Sequence, residues 1–160
     1  MEFSNWKNWP NRNQLGKILK YPGIYLVRYS HQSGIEDTPF GWAQDIIYVG
    51  MTNSIGGLKG RLSQFDDTMR SARVTHGGAD RVRFKHGNYP AFASSAYVAV
   101  CHMVCDVKSN KPEDLRKMGK VAEWEYLAMA AYVEKFGRLP EFNDKKATKK
   151  FLKRPNLRLE

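Results

Sequence analysis

The sequence predicts an α+β domain in which a small, mainly antiparallel three-stranded sheet is flanked by helices. Three observations predict it. Three short stretches are rich in β-branched and aromatic residues, two longer ones space their apolar residues at helical period, and the order is strand, strand, helix, strand, helix. At 160 residues the chain can bury one core and is too short for two. The expected divisions are a lead-in over 1–20, one domain over 21–144 and a basic tail over 145–160.

The lead-in is polar and aromatic, with Trp6 and Trp9 available to pack and room for a short helix around Asn13 to Leu19. Pro22-Gly23 then punctuates the chain before Ile24 to Tyr29, a run of strand formers. His31 to Gln44 is turn-rich, and Asp45 to Gly50 reads as a second strand, most simply paired antiparallel with the first. Leu58, Leu62, Phe65 and Met69 fall on one face of a helix from Leu58 to about Met69. From Arg70 to Pro90 the chain turns to Gly, His, Arg and Lys and reads as an extended basic loop, with room for a hairpin around Arg81 to Lys85. Ser95 to Val107 is the third strand.

Pro112, Glu113 and Asp114 open a long helix that should run to Phe136 and stop at Gly137. Its middle, Tyr126 to Val133, is apolar nearly all round, which predicts a helix packed on the sheet. Beyond Lys145 the chain is dense in Lys and Arg.

Composition narrows the function classes. The 26 Lys and Arg against 16 Asp and Glu give +10, the footprint of a protein that meets phosphate backbones. No apolar run approaches the ~18 residues of a membrane span, and the first residues lack the apolar stretch of a signal peptide. Cys101 and Cys105 would share one face of the third strand as buried thiols; with His102 they are too few for tetrahedral zinc. With no disulfide framework, a cytoplasmic protein without a membrane partner is expected.

Gly23-Ile24-Tyr25 and Tyr48-Val49-Gly50 are each ordinary strand sequences on their own. In order along the chain they are followed by Gly60-Arg61-Leu62, by Glu123 with Tyr126-Leu127, and by Pro140-Glu141-Phe142-Asn143. This succession resembles the GIY-YIG nuclease family over roughly Tyr21 to Asp144. The resemblance implies the GIY-YIG nuclease fold and a metal-dependent DNA endonuclease. Tyr25, Tyr48, Arg61 and Glu123 would form its active site, and Asn143 would brace it. The competing expectation is a DNA-binding or regulatory module on the same fold, without turnover.

The residue types suit that chemistry. Phosphodiester hydrolysis needs a deprotonated water, stabilised charge on the phosphate and help for the leaving oxygen. Arg61 offers a planar fork that matches a phosphate. A tyrosine is a poor base at its ordinary pKa of ~10, but neighbouring positive charge favours the phenolate. Either Tyr25 or Tyr48 could then take the water's proton. Mg2+, with Mn2+ able to substitute, needs only one or two protein carboxylates. Glu123 and Glu125 lie about 200° apart on a helix and cannot both face one site. The family pattern puts an aromatic three residues after the glutamate, which selects Glu123 as the metal ligand.

Two positions depart from the pattern. Phe65 stands where the family often carries His or Tyr, four residues after Arg61, and the reading goes against both His76 and His86 as substitutes. Met51 replaces a frequent lysine, so Lys59 is the candidate for the missing charge. For gripping DNA the candidates are Arg70, Arg73, Arg81, Arg83 and Lys85 in the middle loop and Lys145, Lys146, Lys149 and Lys150 in the tail. Cutting both strands of a palindrome would favour a homodimer.

Overall fold

The computed structural model describes residues 1–151, so the part of the basic tail from 152 onward lies outside the described residues. Four strands and four α-helices run in the order β1 (Lys7–Asn8), β2 (Gly23–Tyr29), β3 (Ile46–Thr52), α1 (Gly57–Met69), α2 (Gly77–Lys85), α3 (Tyr89–Ser95), β4 (Ala96–His102) and α4 (Pro112–Phe136). Two 3-10 segments, Trp9–Lys20 and Glu141–Asn143, complete them. The fold is α+β. Among the described residues no helix is long and apolar enough to cross a membrane.

The strands form one sheet in the order β1-β4-β2-β3, and every pair is antiparallel. The expected three strands are therefore joined by a fourth, because Lys7 and Asn8 pair with Val98 and Tyr97 on the edge of β4. Two residues are too few to leave a period-2 signal in sequence.

Alternation along β2 and β4 separates two faces. Tyr25, Val27, Val98 and Val100 pack with Leu58, Leu62 and Phe65 of α1 and with Phe92 of α3. Ile24, Leu26, Ala99 and Cys101 point the other way, onto Val121, Ala128 and Tyr132 of α4 and onto Trp6. Both faces are covered, which is why these strands read as continuous apolar runs.

The first twenty residues are built into this core. Trp6 and Trp9 are fully buried. The Trp9 indole donates to Asp66 at 2.8 Å, and Tyr89 and Arg12 meet the same carboxylate. Burial alone would raise the Asp66 pKa; the hydrogen bonds from Tyr89 and Trp9 outweigh it and hold the carboxyl below its usual range. One buried anion thereby ties the lead-in, α1 and α3 together.

Three expectations need correction. The middle region is not a loop: His76 and Asn88 accept hydrogen bonds from Ala79 and Ala91 and so cap two helices, α2 and α3. The third strand ends at His102, so Cys105 does not share a strand face with the buried Cys101. Helix α4 does stop at Gly137, in the left-handed region, but it is not buried all round; Tyr126 is 72% exposed.

Candidate active site

Register brings the two tyrosines together. Val27 pairs with Tyr48 and Tyr25 with Gly50, so both side chains leave the same face of the β2–β3 pair. Their ring centroids lie 6.0 Å apart. The Tyr25 ring lies across Gly50, where an added Cβ would come within 2.5 Å of its hydroxyl oxygen. Gly78, at the start of α2, makes the same allowance for Tyr48 at 2.4 Å. Phe65 packs against both rings at 6.4 and 5.9 Å. Tyr25 is fully buried, whereas Tyr48 keeps a partly exposed side.

A histidine completes the pair. The buried His76 imidazole Nε2 lies 2.6 Å from the Tyr25 hydroxyl. Its Nδ1 accepts a hydrogen bond from the Ala79 backbone N–H at 3.1 Å, as the cap of α2. A neutral ring with an accepting Nδ1 carries its proton on Nε2, so His76 donates to Tyr25. Burial, reinforced by the charges of Arg61 and Lys150, holds its pKa down at about 3. The ring is therefore a neutral donor at any ordinary pH. Thr68 fixes the approach, its Oγ1 accepting from the backbone of Thr75 and His76 at 3.2 and 3.1 Å. Tyr25 in turn acts on Tyr48 in the sense that favours the Tyr48 phenolate.

Charges from three helices surround this chain of hydroxyls. Burial raises both tyrosine pKa values, Tyr25 well above its ordinary range, and Arg61 of α1 opposes the rise in each. Glu125 of α4 acts on both in the raising sense, and Arg81 of α2 lowers Tyr48. Glu125 is itself pushed up by burial, against the pull of Arg61 and Lys145. The Arg61 guanidinium donates to Gln64 at 3.0 Å, but its buried Nε has no hydrogen-bond partner among the described residues.

Glu125, not Glu123, is the carboxylate whose charge acts on the tyrosines. Glu123 is about half exposed and pairs with Lys120 at 2.5 Å. The buried stripe of α4 is Val121, Ala128 and Tyr132, and Glu125 falls on it at four residues after Val121 and three before Ala128. Tyr126, on which the aromatic offset for Glu123 rests, faces solvent. The helical period of the buried stripe was the signal that could have found Glu125.

Asn143 clasps the strand that carries Tyr48. Its Oδ1 accepts from Val49 N–H and its Nδ2 donates to Val49 C=O, both at 2.8 Å, gripping β3 beside Tyr48. Lys59 is exposed on α1, and the cations acting on the tyrosines are Arg61 and Arg81 instead. His86 packs against Tyr29 at 4.4 Å, outside this cluster. Of the basic candidates, Arg70 pairs with Asp66 and Asp67, Arg83 with Asp80, and Lys85 with Glu141. Arg73 and Lys146 are exposed. Lys145 acts on Glu125 and Lys150 on His76, so these two reach the site's margin.

No family model, no curated protein and no solved structure matches the chain. Among the described residues there is no cluster of three or more His, Cys, Asp or Glu that could hold a metal ion. A hard cation of the magnesium kind needs less than that. Glu125 fits it: a half-buried carboxylate whose ionised form is disfavoured by burial, a cost that a bound cation would offset. The arrangement gathers two tyrosines, one neutral histidine and the charges of Arg61, Arg81 and Glu125.

Proposed function

We propose that the chain is a metal-dependent DNA endonuclease of the GIY-YIG kind, hydrolysing phosphodiester bonds. The observation that carries the reading is the convergence of Tyr25, Tyr48, Arg61 and Glu125, ordered by the His76 donor at 2.6 Å from Tyr25. Water, phosphate and cation each find a counterpart among them.

Tyr48 is the base, since Tyr25 is fully buried and cannot touch substrate. As water attacks phosphorus, its proton passes to the Tyr48 oxygen, the new P–O bond forms and the P–O bond in line with it breaks. Tyr25 favours the Tyr48 phenolate, and the His76 donor holds the Tyr25 hydroxyl in place. Arg61 supplies a permanent positive charge to the phosphate oxygens. Mg2+, or Mn2+ in its place, would be held by Glu125 and would offset the charge building on the leaving oxygen. Arg81, Lys145, Lys149 and Lys150 grip the flanking phosphates. The natural setting is the cytoplasm, and cutting both strands would engage two copies.

The test is cleavage of supercoiled plasmid in Mg2+ by the wild type and by Tyr48→Phe. Nicking that stops with chelator and falls at least ~100-fold in the variant, the scale of a lost general base, is expected. Equal nicking by both proteins would contradict the reading.

A further inference from the structure

Helix α2 and the segments 141–142 and 147–149 line an open cleft of about 260 Å³. The segment 144–151 is a built structure. Asp144 Oδ1 accepts from the backbone of Lys146 and Ala147 at 3.0 and 3.1 Å, and Thr148 Oγ1 returns to the Asp144 carbonyl at 2.6 Å. Its far end is pinned to α2: the Phe151 ring meets Phe84 at 5.2 Å, with the Arg83 guanidinium 4.1 Å above it. The Lys150 ammonium is set against Gly77 at the start of α2.

The lining has the chemistry of a nucleotide. Arg81, Lys85 and Lys149 face the single carboxylate of Glu141, leaving two positive charges in excess. Phe84 forms one aromatic wall and is 46% exposed, while Phe142 closes the floor and is buried. Exposed aromatics interleaved with cations are how proteins take unpaired bases, the ring stacking and the cation holding the phosphate. The volume lies near the lower end of the ~300–1,000 Å³ of small-molecule pockets, room for one nucleotide and not for a duplex. Arg81 links the cleft to the site, since its charge also acts on Tyr48.

We propose that this cleft is a subsite for one unpaired nucleotide flanking the scissile phosphate, with Phe84 stacking on the base and Arg81 and Lys149 holding its phosphate. The proposal rests on the hydrolase reading and sharpens its substrate to DNA with a nucleotide out of the stack beside the cut, as at a bulge, flap or branch. A base still paired is stacked within the duplex and cannot lay its face on the Phe84 ring.

The experiment measures anisotropy of a fluorescein-labelled 20-base-pair duplex, fully paired or carrying a one-nucleotide bulge, in chelator so that no cleavage intervenes. The wild type is expected to bind the bulged duplex about tenfold more tightly, within the range of one base–aromatic stack. Phe84→Ala should lose that preference, Phe84→Trp should keep it, and Lys108→Ala, on the exposed turn before α4, should bind as the wild type does. No preference in the wild type, or one undiminished in Phe84→Ala, overturns the subsite. Cleavage of the same duplexes in Mg2+ separates the two readings. A Phe84-dependent preference without any cleavage would support the subsite and sink the hydrolase, and cleavage without such a preference would do the reverse.

Discussion

His76 shows how much one side chain can decide and how little of it a sequence displays. It lies 51 positions from the tyrosine it serves, inside a stretch whose glycines and charges read as loop. Phe65 occupies the helix position from which a histidine was expected, and packs against the His76 ring at 5.1 Å. The imidazole thus arrives over that phenyl from the next helix. Its low pKa has a stability consequence. In the unfolded chain the ring titrates near 6.5, in the folded protein at about 3. Below pH 6.5 the unfolded state binds a proton that the native state refuses, so stability is lost as pH falls from 6.5 towards 3. Roughly 2 kcal/mol should go between pH 7 and pH 5 from this residue. Urea denaturation at both pH values should show a correspondingly smaller drop in His76→Gln, and an equal drop would refute the neutral buried ring.

At the scale of elements, the long periodic pieces were legible and the short ones were not. The strands around Tyr25 and Tyr48, α1 and the C-terminal stop of α4 follow from apolar period and capping residues. Helices α2 and α3 were missed because nine and seven residues carry too little apolar repeat to outweigh Gly77, Gly78 and Pro90. Gly78 is there for another reason, the passage of the Tyr48 ring. The 3-10 segment Glu141–Asn143 works as a clasp on β3 through both amide atoms of Asn143. Asn143→Ala would leave a part-buried N–H and C=O of Val49 without partners, at a cost of about 1–3 kcal/mol. Thermal or chemical unfolding measures that cost directly. Because Val49 adjoins Tyr48, cleavage should slow as well; a variant as stable and as active as the wild type would deny the clasp.

For the whole molecule, the charge surplus predicts a phosphate-binding surface but not its layout. Arg70, Arg83 and Lys85 are engaged by carboxylates, whereas Arg81, Lys145, Lys149 and Lys150 border the site or the cleft. Reach across the sheet edge, which decides this, is not written in linear order. The acid–base assignment has a global signature. Both tyrosine pKa values are raised, so the ionised fraction grows tenfold per pH unit through the neutral range. Single-turnover cleavage should climb with a slope near one in log rate from pH 7 to 9. An inflection near pH 6.5 would instead assign the base to a histidine. The most direct test of the central claim is plasmid nicking by Glu125→Gln beside Glu123→Gln. The account predicts a loss of at least ~100-fold in the first, the scale of a removed electrostatic contact in an active site, and near wild-type cutting in the second. Activity retained in Glu125→Gln and lost in Glu123→Gln would contradict it.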